Sequence, residues 1–129
     1  IGSFHAIKHQ LADLAVKLEY ARPVVYRAAH SVARDGRGRA VDVSMAKAAA
    51  DEAALAAAKT ALQVHGAIGY TWEQDLHVWM RRAWSLERSW GSAAWHRARV
   101  AAALLDGAAP VETFGYQSPS AAAVGGSRT

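Results

Sequence analysis

The chain has 129 residues, 52% of them apolar, with 15 Lys and Arg against 11 Asp and Glu and no cysteine. That length suits one domain with a packed core, and the missing cysteines exclude a disulfide framework and a thiolate metal site. No apolar run reaches the ~18 residues of a membrane span and the N-terminus lacks a basic-then-apolar leader, so a soluble cytoplasmic protein without membrane insertion is expected.

Alanine dominates, while Val, Ile and Thr are too few to fill a sheet. Alanine loses no side-chain entropy in a helix, which points to an all-α, up-down helical bundle. The first helix carries Ile7, Leu11, Leu14, Leu18, Ala21, Val25, Ala28 and Val32 at alternating steps of four and three, the seam of a helix packed nearly parallel to its neighbours. Ser3 is its candidate N-cap, Pro23 removes one backbone donor inside it, and Asp35-Gly36 stops it. The loop ARDGRGRA then gathers Arg34, Arg37 and Arg39. No aromatic residues interleave there as a nucleic-acid surface requires, so it reads as a solvated connection and nucleic acid is not an expected partner.

A second helix is expected over residues 43–65, capped by Asp42 or Ser44. Apart from Met45, Leu55 and Leu62 it is small-faced, KAAADEAALAAAKTA, which allows close helix–helix approach. The corner Gly66-Ala67-Ile68-Gly69-Tyr70 follows. Thr71 and Gln74 fit a capping box for a third helix over residues 72–84, with Leu76, Trp79, Met80 and Ala83 on its apolar face. After a break at residues 89–92, a fourth helix spans 93–105, with Gly107 as its closing residue. Residues 1–106 thus form the bundle, and 107–129 read as an irregular tail in which Phe114 and Tyr116 can dock on a surface. The content of the first residues, with Ile1 and Phe4, resembles the interior of a protein and suggests a piece of a longer one.

The residues alone carry little chemistry. His5 and His9 are four apart, the spacing of two zinc ligands, but Ala6 breaks the His-Glu-x-x-His pattern and no third ligand is suggested, so no metal is expected. Tryptophans 72, 79, 84, 90 and 95 read as core or interface anchors, which implies a substantial buried surface. Two glycines around a helix end are, by themselves, punctuation.

Gln63-Val64-His65-Gly66-Ala67-Ile68-Gly69-Tyr70-Thr71-Trp72-Glu73, followed by Arg81-Arg82-Ala83, resembles the acyl-CoA dehydrogenase family's Gln-x-x-Gly-Gly-x-Gly-Tyr corner and its Arg-Asp-Ala stretch. IGSFHAIKHQLAD at the start, and MAKAAADEAALAAAKTALQVHG before the corner, are similar to two further helical segments of that family's C-terminal domain, so that the likeness runs from residue 1 to about 105. The resemblance implies a C-terminal bundle lacking its first helix, with the family's Arg-x-x-Phe-Gly flavin motif lying before Ile1. It implies FAD as cofactor, an acyl-CoA substrate, the remaining domains of the same protein as partners, and a homo- or hetero-tetramer. Phe4 and His5 fall where the family has a Phe-Gln pair on FAD. Gln63, Val64, His65, Gly66 and Ala67 fall where it meets the FAD of a neighbouring subunit, and Gly91 and Ser92 where it has Gly-Thr. His5 in place of Gln and Ala67 in place of the second Gly are departures.

The resemblance also places a catalytic Glu nine residues after Arg81, inside Tyr-Glu-Gly-Thr. Here the stretch is Ser89-Trp90-Gly91-Ser92. Indole only donates and removes no proton, so no catalytic residue is assigned. Glu87, one turn earlier, would need a different backbone path to serve. Either a base lies on a preceding helix before Ile1, or the chain pairs with an unlike subunit that supplies it, as actinobacterial steroid-degrading members do. The second is favoured. A different class of function, a non-enzymatic helical assembly module derived from this family, would equally explain three changed site positions.

Overall fold

A computed structural model describes Gly2 and residues 4–107. Ser3 as a cap and the 107–129 tail with Phe114 and Tyr116 lie, past Gly107, outside the described residues. Four α-helices and one short 3₁₀ segment make up the fold, and no strand occurs among the described residues. They are α1 (His5–Ala33), α2 (Arg39–His65), the 3₁₀ segment (Gly66–Tyr70), α3 (Leu76–Arg88) and α4 (Ala93–Leu105). Among the described residues no helix is long and apolar enough to cross a membrane.

The axis of the fold is α2, on which α1, α3, α4 and the 3₁₀ segment all pack. Its buried side chains are Ala46, Ala48, Ala53 and Ala58 with Asp42, Ser44 and Asp51. Methyl groups in those positions let neighbouring backbones come close, so packing is obtained from proximity rather than from side-chain bulk. Ser44 is fully buried and donates its hydroxyl to the Ala40 carbonyl at 2.9 Å, which satisfies it within its own helix.

α1 and α2 form an antiparallel hairpin. At its closed end Gly36 N–H donates to the Ser31 carbonyl at 2.8 Å, and Asp35 takes a left-handed conformation with φ 52°. Arg39 pairs with Asp35 at 2.8 Å, so one of the three loop arginines is engaged in closing the turn. Just inside, the buried Asp42 carboxylate accepts from Arg27 Nε at 2.9 Å and from the Ser31 hydroxyl. This explains why α2 starts four residues earlier than 43–65. Asp42 does not cap the helix; it lies in the first turn and reaches across to α1, and Ser44 does not cap either.

The third helix also differs. Thr71 and Gln74 form no capping box, because the Thr71 hydroxyl donates back to the Ile68 carbonyl at 2.8 Å and ends the 3₁₀ segment. The helix therefore begins at Leu76 and runs on to Arg88, displaced by four residues from 72–84. α4 spans 93–105 as expected, with the Ser92 hydroxyl accepting from Trp95 N–H at 3.3 Å.

The tryptophans are not core. All five are 50–80% exposed, because an alanine-lined interior has no space for indole rings. The α1 seam is likewise half used. Ala21 and Ala28 are buried, whereas Leu11, Leu18, Val25 and Val32 are exposed among the described residues.

Two substitutions test this account. Ala53, only 3% exposed, replaced by Leu overpacks the α2 axis, with an expected loss of about 1–3 kcal/mol in urea unfolding. Asp42→Ala leaves Arg27 and Ser31 without their shared acceptor, with an expected loss of about 2–4 kcal/mol by the same measurement.

Candidate functional site

The candidate residues fall into groups along the hairpin. α1 and α2 are nearly equal in length, and Arg27 and Ser31 meet Asp42. The start of α1 and the end of α2 therefore come to the same open end. Phe4 precedes α1 and is exposed, His5 opens it and is exposed, and neither has its side chain in a packed position.

At that end Gln63 and His65 are exposed in the last turn of α2, and Val64 is half-buried. His65 Nδ1 hydrogen-bonds the Ala61 carbonyl at 2.7 Å, which turns its ring back along the helix. Gly66 ends the helix at φ 61°, ψ −140°, a conformation essentially confined to glycine. A Cβ there would meet nothing within 4 Å, so its requirement is conformational rather than steric. Gly69 is different. It is buried, and a Cβ would come within 3.0 Å of His65 Cβ and 3.2 Å of Leu62 Cδ1. The first glycine thus turns the chain, and the second lets the 3₁₀ segment lie on α2. Ala67 is exposed between them. The outward face of this corner, Gln63 with the open backbone at Gly66 and Ala67, is free for close approach by a ligand.

Beside the corner, Leu62, Gly69, Tyr70, Trp72, His77, Met80, Arg81 and Trp84 line a cavity of about 350 Å³. Trp72 stands edge-on to His77 with centroids 4.5 Å apart, and the Arg81 guanidinium lies 5.1 Å over the indole.

The second group sits at the α3–α4 junction. α3 runs opposite to α2, so that Glu87 reaches the level of Lys47. Lys47 is about 27 Å from His65 along α2, at ~1.5 Å per residue. The Gln63–Ala67 corner and the Trp90–Ser92 junction are therefore separated, and one chain does not bring them to the same atoms of a ligand.

Trp90 itself has φ 60°, unusual for an aromatic residue, and is 80% exposed. Gly91 follows at φ 104°, with its α-carbon against the Trp95 ring; a Cβ would fall 2.9 Å from Trp95 Cε3 and 3.3 Å from His96 Nε2. Two consecutive residues with positive φ throw the residue 90 side chain off the bundle. Glu87 is half-buried in α3, and its carbonyl accepts from Lys47 Nζ at 3.3 Å. It is a member of a regular helix, one turn before the junction.

The comparisons with known proteins agree with this architecture. The family described as acyl-CoA dehydrogenase, C-terminal domain, matches residues 1–105. The chain belongs to that family. It is 42% identical over 83 residues, 64% of its length, to acyl-CoA dehydrogenase IpdE2 of Mycobacterium tuberculosis, and covers 24% of that protein. It is 40% identical over 84 residues to acyl-CoA dehydrogenase FadE34 of the same organism, again 64% of this chain and 12% of that one. It is 38% identical over 105 residues to a 3-sulfinopropanoyl-CoA desulfinase of Paraburkholderia xenovorans, 81% of this chain and 26% of that one. The chain spans between 12% and 26% of the length of these curated relatives.

Two residues of the junction were not among those singled out from sequence, Lys47 and His96. Lys47 had a visible signal, since Lys47 and Asp51 are an i, i+4 charge pair inside a run of alanines. His96 had none.

Gly91→Ala is expected to cost about 2–4 kcal/mol in thermal unfolding, from the positive φ and the clash with Trp95 together, whereas Gly66→Ala, strained but unobstructed, costs about 1–3 kcal/mol.

Proposed function

We propose that this chain is the flavin-contacting and oligomerising C-terminal domain of an acyl-CoA dehydrogenase-type flavoprotein that acts on an acyl-CoA thioester. In this proposal it lacks the usual catalytic carboxylate and works with a partner subunit. The observation that carries the reading is Trp90, raised on an exposed, left-handed corner, in a chain that matches the family over residues 1–105; the resemblance of the surrounding sequence expects a carboxylate at that position.

The names of these relatives share a CoA thioester or an acyl-CoA reaction and differ in what is done to it. That supports the substrate class more firmly than the reaction. Two mycobacterial proteins among them favour an actinobacterial setting; steroid-derived acyl chains are the substrate that the resemblance to steroid-degrading members suggests for it.

The residues present fit FAD. Gln63 offers an exposed amide, and Gly66 and Ala67 offer backbone with open space beside it. In this reading that corner contacts the flavin nucleotide of a neighbouring subunit, Phe4 and His5 approach a cofactor from the same open end of the hairpin, and Gly91 and Ser92 approach one from the α3–α4 junction. When bound, FAD supplies the acceptor for hydride from the β-carbon of the thioester. The chain's own contribution is to orient and to exclude water. The Trp90 indole, 80% exposed off the bundle, presents an apolar ring where the family resemblance expects a carboxylate. Its N–H donates and cannot accept the α-proton, so a base must come from elsewhere in the assembly.

The alternative is a helical assembly module that kept the bundle and lost the chemistry. The changes at His5, Ala67 and Trp90 support it, since each removes a family feature.

The full-length protein, purified under mild conditions, is expected to carry a flavin absorbance spectrum and to co-purify with an unlike subunit. A colourless homomer that takes up no added FAD would select the assembly-module reading instead.

A further inference from the structure

The junction that presents residue 90 is held by its main chain from both sides. On one side Lys47, on α2, points between α3 and its own helix. Its ammonium pairs with Asp51, whose carboxylate is 7% exposed, and donates to the Glu87 carbonyl at 3.3 Å. That carbonyl belongs to the last turn of α3, where carbonyls have no helical partner and a cation is favoured by the helix dipole. On the other side His96, on α4, is 4% exposed, and its Nε2 lies 3.0 Å from the Trp90 carbonyl. A carbonyl only accepts, so Nε2 carries the hydrogen. In the neutral ring Nδ1 is then a bare acceptor, and it has no hydrogen-bond partner among the described residues. A buried imidazole with one nitrogen unpaired is costly. The residue is held there against that cost, with its ring edge-on to Trp95 at 4.7 Å and both rings closing the space that a Cβ at residue 91 would need.

We propose that Lys47 and His96 are the positioning residues of the site, clamping the carbonyls of Glu87 and Trp90 so that the left-handed corner is fixed and residue 90 projects off the bundle. Neither touches the side chain of residue 90. Both act on the backbone, one three residues before the positive-φ step and one at it. Without the clamps, Trp90 has no reason to remain at φ 60°, which costs energy for a bulky residue. The buried Lys47–Asp51 pair makes the first clamp rigid, because Asp51 is itself enclosed on α2. The functional meaning of the clamps rests on residue 90 occupying the site position; the clamping itself does not.

The test uses the full-length protein with Lys47→Met and His96→Phe, each compared with its conservative counterpart, Lys47→Arg and His96→Gln. Amide hydrogen exchange is followed over residues 86–96, which contain the bonded amides of Ser89, Trp95 and His96, and over residues 24–32 of α1 as the internal reference. Trp90 mobility is read as the difference in time-resolved anisotropy between each protein and the same protein carrying Trp90→Phe. The clamps predict exchange about tenfold faster over 86–96 with 24–32 unchanged, a larger fast component for Trp90, and values closer to the parent in the conservative variants. Unchanged exchange at 86–96, an equal rise in both segments, or conservative variants no better than Met and Phe would each overturn the proposal. If Lys47→Met does not fold, because Asp51 is left buried without its cation, the double replacement with Asp51→Leu removes both charges and isolates the lost Glu87 contact. No flavin or substrate enters these readouts, so a colourless protein would defeat the proposed function and still leave the clamps measured.

Discussion

The structure depends on the alanine faces of α2. A helix lined with methyl groups can be approached closely on several sides at once, and α2 serves α1, α3, α4 and the 3₁₀ corner together. Close approach leaves few cavities and also no volume for large rings. The aromatic residues of α3, the junction and α4 are therefore placed outward, where they form an exposed apolar surface. An interior made of small residues and a surface made of tryptophan are two results of one packing decision. Such a surface is what an oligomerising domain needs, since exposed indoles carry much of the energy of protein interfaces.

Burial of polar groups follows the same logic. Asp42 and Asp51 both lie on α2 and both point inward, yet each is matched from a neighbouring position, Asp42 by Arg27 and Ser31 of α1 and Asp51 by Lys47. The first fixes the register of the hairpin and the second reaches α3. A methyl-rich interface is smooth and specifies sliding poorly; the paired charges give it discrete registers. Through Lys47 the register of α2 is passed to the end of α3, and from there to the corner that carries Trp90. Position along α2 thus decides which way residue 90 faces.

Much of this was legible in the sequence. Alanine content and the step pattern of α1 gave an all-α bundle, and α4 was bounded correctly because Ser92 and Gly107 are ordinary helix-end residues acting locally. Errors arose where a local signal was captured by a distant or backward contact. Asp42 resembled a cap and was taken by Arg27, which no local pattern shows. Thr71 resembled the start of a helix, and its hydroxyl closed the preceding turn. The tryptophans read as core or interface anchors, and their exposure removes only the core alternative, which the closeness of the alanines excludes. The site was legible through resemblance rather than through chemistry: the Gly66 corner and Trp90 were located by pattern, while the strained backbone at residue 90 and its clamps at Lys47 and His96 required coordinates.

The central claim is that this chain belongs to a flavin-dependent acyl-CoA system in which the base comes from a partner subunit and not from residue 90 or elsewhere in the same polypeptide. The most direct measurement mixes the flavin-loaded full-length protein with an acyl-CoA series in a stopped-flow spectrometer, with and without Trp90→Glu, in the absence of any partner subunit. The account predicts that the oxidised flavin band persists in the parent and bleaches in the Trp90→Glu protein with at least one thioester. Rapid bleaching of the unaltered protein by itself would contradict it, because a base would then already be present within this one polypeptide.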